Sequence, residues 1–344
     1  MTTQQDTDHL TEVRWKTESI LRRHSGLEQD VALLDAPALI NVGDSMIWQG
    51  QVEYMNRLGH RIRYAADMQS YDARRLKRSM PDGGIVMLRG GGNFGDLWVG
   101  HQNFRERVAQ ELRNCEIVQL TQSVMFRDPA RAAQANKVLS AHPSFTLLVR
   151  DDLSMERARE QLPDVKIERA YDMALGWTPR RTAEPTPGRV VVIARRDREA
   201  SSGLAEASEA WRTPYDVHVT DWGSHARYPS RWGATRKLLK QNGKLVYRQW
   251  PSLPQPTIER SLRYLNRWNL DSAVDLFSQA QAMVVDRLHA HVIASLLGIP
   301  HVVLDNDHGK ISSVFHSYTG QFSTAHYTTS TDEARAILDE LMSR

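Results

Sequence analysis

Cysteine is almost absent from this 344-residue chain, which contains Cys115 alone. A single cysteine excludes a disulfide framework and any metal site built from several cysteines, and it fits a reducing compartment. Apolar runs are short, and none approaches the roughly 20 residues that a membrane span needs. The polar N-terminus lacks the apolar core of a signal peptide. We therefore expect a cytoplasmic protein in which Cys115 is a packed thiol rather than a nucleophile.

Metal-binding patterns are missing as well. The chain has 13 histidines, but none stands in a spacing such as His-Glu-x-x-His, so we expect no metal. Apolar residues make up 41% of the chain and charged residues 25%, which is typical of a globular protein. A chain of this length suits two α/β domains better than one.

Strand and helix patterns alternate along most of the chain. Residues 8–28 predict a helix, and short apolar runs then alternate with amphipathic segments. Such alternation favours a parallel, doubly wound sheet. The predicted strands lie at 38–40, 60–64, 84–88, 116–120 and 145–149 in the first half, and at 189–194, 217–220, 283–285 and 301–304 in the second.

A linker divides this alternation. Residues 184–188 contain two prolines and a glycine, which interrupt regular structure. We therefore predict an α/β fold of two Rossmann-like, doubly wound parallel-sheet domains that face a cleft. The predicted units are a helical extension (1–30), a first domain (31–184), a second domain (188–330) and a final helix (331–344) that packs back across the joint.

A glycine-rich segment, Gly90-Gly91-Gly92-Asn93-Phe94-Gly95-Asp96, follows the apolar run 85–88. We expect a loop at the carboxyl edge of the sheet, where successive glycines let backbone N–H groups face an anion. The segment matches the dinucleotide pattern G-x-G-x-x-G. However, the next predicted strand runs into Thr121-Gln122-Ser123 and offers no carboxylate for a ribose. We therefore interpret the segment as an anion-binding loop without a dinucleotide.

Arginine and histidine stand together at another predicted strand-to-helix junction. Arg287 and His289 follow the strand 283–285 and precede an apolar helix. Helix N-terminal N–H groups favour an anion, arginine offers a planar fork to a carboxylate or phosphate, and histidine exchanges protons near neutral pH. The alternative is that His289 caps the helix and Arg287 forms a structural ion pair. Arg195 and Arg196 end a further predicted strand and suit the same anions.

Asn41-Val42-Gly43-Asp44 follows the first predicted strand. The spacing alone favours an Asx turn that caps the next helix. The alternative is that Asp44 faces the cleft and takes a proton from a sugar hydroxyl. Polar residues also follow other predicted strands at Gln122, Ser123, 150–154 and 172–175, and Lys310 lies beyond the last strand.

Acidic residues are scarce between Asp221 and Asp271, where Glu259 is the sole example. The stretch 222–270 carries ten arginines and lysines and seven tryptophans and tyrosines. Cations interleaved with indole and phenol rings suit a lipid headgroup, an anionic glycan or nucleic acid. The alternative is a solvated basic face whose aromatic side chains belong to the core. Because no nucleic-acid module accompanies the stretch, we expect no nucleic acid partner.

From about residue 36 to 313, the chain resembles the polysaccharide pyruvyl transferase family. The resemblance implies a glycosyltransferase-B-like fold and phosphoenolpyruvate as the donor substrate, with no cofactor. It also implies transfer of the enolpyruvyl group onto a sugar hydroxyl pair of a polysaccharide or its lipid-linked precursor, which gives a pyruvate ketal and phosphate. The segments that carry it, in order, are Asn41 to Asp44, Gly90 to Asp96, Gln122-Ser123, Arg150 to Ser154, Asp172 to Ala174, Arg287 to His289 and Gly298 to Pro300.

The family's motifs carry over residue by residue. Its basic motif falls on Arg287 and His289, its late lysine on Lys310, and its N-x-G-D aspartate on Asp44. The resemblance implies that His289 is the general acid and that Asp44 activates the acceptor. Donor binding is expected at Arg287, Arg195, Arg196, Lys310, Gly91, Gly92 and Asn93, and acceptor binding at Asn41, Asp96, Gln122 and Ser123.

Two other functions remain open on the sequence. A nucleotide-sugar-dependent glycosyltransferase of the same two-domain fold would want a carboxylate late in the second domain, where Asp305 and Asp307 are the nearest. A non-catalytic binding protein would use the stretch 222–270 as its working surface. If the acceptor is linked to a lipid diphosphate, we expect the same stretch to contact the inner face of the cell membrane.

Overall fold

Two parallel sheets organise the chain, of which the computed structural model describes residues 3–81, 83–197, 200–305 and 309–343. The strands of the first sheet are β1 (Asp30–Leu34), β2 (Arg61–Ala66), β3 (Ile85–Leu88), β4 (Gly91–Gly95), β5 (Glu116–Met125), β6 (Phe145–Val149) and β7 (Lys166–Arg169). Their order is β2-β1-β3-β5-β6-β7, with β4 paired to β5. Every pairing is parallel.

The second sheet has five parallel strands. They are β8 (Arg189–Ile193), β9 (Asp216–Thr220), β10 (Ala282–Val285), β11 (His301–Leu304) and β12 (Ala325–Thr328), and their order is β12-β11-β10-β8-β9. The predicted architecture of two parallel-sheet α/β domains is therefore confirmed, whereas the predicted domain boundaries stay a prediction.

Helices connect the strands and cover both sheets. Those of the first half are α1 (Gln4–Ser25), α2 (Val42–Arg57), α3 (Ala73–Ser79), α4 (Val99–Glu111), α5 (Pro129–Ser140) and α6 (Asp152–Gln161). Those of the second half are α7 (Leu204–Ala207), α8 (Ser230–Tyr247), α9 (Gln255–Ser278), α10 (Leu288–Leu296), α11 (Lys310–Ser317) and α12 (Thr331–Ser343). None of the helices in the described ranges has both the length and the apolar character needed to cross a membrane.

The first strand lies earlier than its sequence-based prediction. Residues 38–40 form a loop, and the strand is Asp30–Leu34, which the chain leaves at Asp35 with a left-handed φ of 64°. Pro37 lacks the backbone N–H that a central strand would donate. Ala38 and Ile40 still pack against the core, but as part of a loop. The glycine-rich segment likewise differs, because residues 91–95 pair with β5 as a short strand.

The final helix does not cross the joint as expected. α12 packs on β10, β11 and β12, where Ala334 and Leu338 are buried in the core of the second sheet. A helix at the other end of the chain, α1, does contact both halves. The Asp6 carboxylate accepts a hydrogen bond of 2.6 Å from the Ser323 backbone N–H, and Arg14 Nε donates to the Leu175 carbonyl at 2.7 Å.

Each sheet reverses its strand order at one point. The chain runs from β1 outward to β2 and returns to β3 beside β1, and it runs from β8 to β9 and returns to β10 beside β8. In open α/β sheets, ligands bind beyond the carboxyl ends of the strands at such switch points. The segments that follow β1, β3, β8 and β10 line one cavity between the two sheets.

Buried amide side chains of α9 hold the segment after β1, which lines this cavity. Asn266 Nδ2 donates to the Pro37 carbonyl at 2.9 Å, and Asn269 Nδ2 donates to the Leu39 carbonyl at 2.9 Å. Ser45, in the first turn of α2, donates to Asn266 Oδ1 at 2.8 Å. Because unpaired amides would be costly in this buried contact, these bonds set the position of α2 against the second half of the chain.

Candidate active site

The cavity between the sheets has a volume of about 210 Å³ and a predominantly cationic lining. Four of its side chains are arginine or lysine, two are histidine and one is aspartate. The structure brings eight of the predicted site residues to this lining: Asn41, Asp44, Gly92, Asn93, Arg195, Arg287, His289 and Lys310. Such a composition favours a small anionic ligand.

Two helices begin at the cavity, one from each half of the chain. α2 begins at Val42 and α10 at Leu288, and Asn41, Gly43 and Leu288 line the cavity. The first N–H groups of a helix lack partners within the helix, and the helix dipole is positive there. Two helix N-termini at one cavity therefore add to its attraction for an anion.

His289 packs directly against the first turn of α2. A Cβ added to Gly43 would lie 2.7 Å from His289 Nδ1 and 3.1 Å from His289 Cβ. The first distance is shorter than Cβ atoms show and the second is tight, so a side chain at 43 would force α2 or the imidazole to shift. The approach of α2 to α10 thus depends on one residue without a side chain.

A buried carboxylate stands behind the imidazole. His289 Nε2 lies 3.5 Å from Asp172 Oδ2, and Arg150 Nη1 donates to the same oxygen at 2.6 Å. Burial raises the pKa of Asp172, but the charges of Arg150 and His289 outweigh it and hold that pKa well below its usual range. Asp172 is therefore ionised close to the imidazole, an arrangement that suits proton transfer by histidine.

Asp172 and Arg150 were motif residues without an assigned role on the sequence. Asp172 follows β7, a short strand of only partly buried residues that the apolar pattern did not predict. Because β7 was not predicted, the sequence did not show that Asp172 follows a strand. Arg150 and Asp172 follow the neighbouring strands β6 and β7, and this placement would have predicted their ion pair.

Asp44 lies in the first turn of α2, which Asn41 caps, and it also lines the cavity. Its backbone N–H donates to Asn41 Oδ1 at 3.3 Å, as the capping interpretation predicts. Its carboxylate accepts hydrogen bonds from Arg89 Nη1 at 2.7 Å and from Asn41 Nδ2 at 3.0 Å. Arg89 is buried and also contacts Asp35. The carboxylate is thus fixed in place while 28% of the side chain stays exposed.

Arg287 forms the ion pair that the alternative interpretation predicted, and it also lines the cavity. Its Nη2 donates to Asp221 Oδ2 at 2.7 Å and to Asp197 Oδ2 at 3.0 Å, and its Nε bonds the other oxygen of Asp221. Arg195 lines the cavity beside it, and the Arg195 backbone N–H donates to Asp286 Oδ1 at 2.7 Å.

The glycine-rich segment brings cations close to its backbone. A Cβ on Gly92 would lie 3.3 Å from Arg150 Nη2 and 3.9 Å from Lys310 Nζ. Gly91 adopts a φ of 137°, which is open to glycine. Asn93 is held by Arg105 Nη2, which donates to its Oδ1 at 2.9 Å.

Some predicted site residues do not line the central cavity. Gln122 is fully buried, and it accepts from the Asn93 N–H and donates to the Arg89 carbonyl. Ser123 binds Asp151, and Asp96 accepts from two backbone N–H groups before α5. Arg196 is exposed beyond the end of β8, where it lines a different cavity, and Gly91 is buried.

The basic stretch 222–270 divides into two parts. Trp222, Tyr228, Trp232, Tyr264 and Trp268 belong to the core or pack against it, as the alternative interpretation predicted. Tyr247 and Trp250 instead lie at the surface with 89% and 57% of their area exposed.

The carboxylates that a nucleotide-sugar donor would want are Asp305 and Asp307. Asp305 lies 3.3 Å from the Tyr327 hydroxyl, outside the lining of the cavity, and Asp307 lies outside the described residues. Within the part of the chain that the structure describes, no group of three or more His, Cys, Asp or Glu could hold a metal.

Replacing Gly43 with alanine tests the contact between α2 and His289. We expect Gly43→Ala to lower the free energy of unfolding by about 1–3 kcal/mol, the usual cost of forcing an extra carbon into a packed contact. Chemical denaturation monitored by tryptophan fluorescence measures the change.

Gly100→Ala is the matched control, because Gly100 is also the second residue of its helix and a Cβ there meets nothing within 4 Å. We expect it to be neutral or slightly stabilising. Equal stability changes in the two variants would contradict the close contact at Gly43.

The chain is similar to known proteins over most of its length. The chain is 27% identical over 309 residues to the putative pyruvyl transferase EpsO of Bacillus subtilis (strain 168), covering 87% of this chain and 90% of that protein. It is 26% identical over 298 residues to pyruvyl transferase 1 of Schizosaccharomyces pombe, covering 84% and 69%.

A solved structure shares the fold. The uncharacterized protein KP1_0663 of Klebsiella pneumoniae superposes with a TM-score of 0.54 at 13% identity, over 92% of this chain and 98% of that one. The sequence profile of the polysaccharide pyruvyl transferase family matches residues 41–308, from the cap of α2 to the segment before α11. This chain therefore belongs to the polysaccharide pyruvyl transferase family.

Proposed function

We propose that this protein transfers the enolpyruvyl group of phosphoenolpyruvate to a hydroxyl pair of a sugar in a polysaccharide or its lipid-linked precursor, forming a pyruvate ketal and releasing phosphate. One observation carries the proposal. The imidazole of His289, with the buried Asp172 carboxylate behind it, stands in a cavity where cations and two helix N-termini converge.

The donor site suits a small, dense anion. Phosphoenolpyruvate carries a carboxylate and a phosphate, and Lys310, Arg150 and Arg195 line the same cavity. Its volume of about 210 Å³ is sufficient for a three-carbon donor. Arg287 extends the cationic wall and is held there by Asp221.

The proposed chemistry divides protons between two products. The enol methylene carbon gains a proton from His289 and becomes a methyl group, and the first sugar hydroxyl bonds to the central carbon. The bond from that carbon to the phosphate oxygen then breaks, and the second hydroxyl closes the ring. Of the two hydroxyl protons released, one balances the methyl group and the other leaves with hydrogen phosphate.

Acceptor activation is assigned to Asp44. Its carboxylate is positioned by Arg89 and Asn41, and its exposed part can accept a hydrogen bond from a sugar hydroxyl. Asp172 is a positioning residue, because it contacts the imidazole of His289 and is itself almost fully buried.

Donor binding can be tested without knowing the acceptor. At about a hundred times its dissociation constant, phosphoenolpyruvate should stabilise the protein by roughly 2.7 kcal/mol, seen as a higher midpoint of thermal unfolding. Lys310→Met should abolish the shift, because it removes a cation from the lining. His289→Asn should keep the shift but lower phosphate release about a hundredfold or more once an acceptor is supplied.

Lys137→Met is the control, because Lys137 is an exposed residue of α5 and does not line the cavity. Phosphoenolpyruvate should raise the midpoint of thermal unfolding of this variant as much as that of the unmodified protein. A midpoint shift with nucleotide sugars and none with phosphoenolpyruvate would contradict the proposal and favour the glycosyltransferase.

We also propose that the protein contacts the inner face of the cell membrane through the end of α8. The exposed rings of Tyr247 and Trp250 lie beside exposed Lys244 and Arg248, and α8 itself contains no acidic residue. Aromatic rings and cations together suit an anionic lipid surface.

Vesicle sedimentation tests this contact. The protein should bind vesicles containing anionic lipid at low salt and be released at high salt, because screening weakens surface electrostatics. A Tyr247→Ala/Trp250→Ala variant should lose most of the binding. The control Trp15→Ala removes another exposed ring, on α1, and should retain vesicle binding. Equal loss of binding in both variants would contradict the assignment to α8.

A further inference from the structure

A second cavity adjoins the central one on the side of Asp44. This side cavity has a volume of about 190 Å³, and it shares Leu39, Asp44 and His101 with the central cavity. Asp44 therefore stands between the proposed donor site and a further space large enough for part of a ligand. The remaining lining consists of Asp35 to Ala38, Asp67 to Gln69, Arg89, Arg236 and Lys240.

Carboxylates form the inner wall of the side cavity, and each is held from behind. Asp35 is bound by His101 Nδ1 at 2.9 Å and by Arg89 Nη2 at 3.4 Å. Asp67 Oδ1 accepts from the Ser70 backbone N–H at 2.8 Å. A fixed carboxyl group has further lone pairs for hydroxyl donors, so this wall suits the hydroxyls of a neutral sugar ring.

The outer rim is cationic and comes from the other half of the chain. Arg236 and Lys240 are four residues apart on α8, so they share one face of the helix. Both side chains are exposed to solvent as well as to the cavity. The rim thus offers two charges to a group that reaches outward from the side cavity.

Close packing fixes α8 in this position. A Cβ on Gly243 would lie 2.6 Å from Gln69 Cβ, so α8 touches the segment after β2 at a residue without a side chain. One residue earlier, Asn242 Nδ2 donates to Ser70 Oγ at 3.2 Å. Gly243 is about one turn beyond Lys240, so the same contact holds both cations over the side cavity.

We propose that the side cavity binds the part of the acceptor next to the pyruvylated sugar, and that Arg236 and Lys240 bind an anionic group on that part. The neutral ring would lie against the carboxylates, and the anionic group would lie at the rim. The acceptor class is then a saccharide bearing an oxyanion, either a uronic carboxylate or a phosphate ester. The inference rests on the proposed function, because it takes the central cavity as the donor site.

Binding of simple sugars to the donor-saturated protein tests the side cavity. With phosphoenolpyruvate saturating, calorimetric titration compares methyl glucuronide, glucose 1-phosphate and neutral methyl glucoside. We expect at least one charged sugar to bind about tenfold tighter than the neutral one, since two charge-assisted contacts are added. Preference for the glucuronide identifies a uronic acid as the source of the charge, and preference for the phosphate identifies a phosphate ester.

The double variant Arg236→Gln/Lys240→Gln should bind the charged and neutral sugars with about equal affinity. Its matched control is Arg231→Gln/Lys237→Gln, which removes the same charges from exposed positions of the same helix outside the lining. The control should keep the tenfold preference, and both variants should keep the stabilisation by phosphoenolpyruvate.

Two results would overturn the inference. Either the charged and neutral sugars bind alike, or the control loses the preference as fully as the test variant, which would indicate a diffuse field rather than a site. Failure of the proposed function is distinguishable, because in that case phosphoenolpyruvate does not stabilise the unmodified protein.

Discussion

The contact between His289 and the first turn of α2 is the constraint on which the site depends. It joins the two halves of the chain at Gly43, where an added Cβ would lie 2.7 Å from the imidazole. Behind the ring, the Arg150–Asp172 ion pair is buried, and breaking such a pair leaves an uncompensated charge. The imidazole is thereby held between one helix N-terminus and one ionised carboxylate. The active arrangement therefore exists only when the two halves pack together.

The two neighbouring cavities differ in the charges that line them. Arginine and lysine side chains surround the central cavity, where a phosphate would leave, whereas carboxylates bound to Arg89 line the side where hydroxyls would enter. Asp44 stands at the boundary and lines both cavities. Arg236 and Lys240 of α8 form a cationic rim at the outer side of the side cavity. This alternation would give the proposed donor anion and the proposed sugar acceptor separate places.

The sequence predicts what local patterns determine, such as the strands 145–149 and 301–304 and the parallel α/β class, which the structure confirms. It misplaced the first strand, since the apolar residues 38–40 pack as a loop behind Pro37. It left Asp172 without a role because β7 is only partly buried. The packing of Gly43 on His289 joins residues 246 positions apart, and no local pattern encodes such a contact. Arg196 follows the end of β8 as predicted, whereas Gln122 lies inside β5, which continues to Met125, and neither side chain lines the cavity.

The most direct measurement of the central claim is a crystal structure of the protein soaked with phosphoenolpyruvate. The account predicts the phosphate near Lys310 and the N-termini of α2 and α10, with the methylene carbon within about 3–4 Å of the His289 ring, as proton transfer requires. Phosphoenolpyruvate bound away from His289, for example beside Arg196 and residues 201–209, would contradict it.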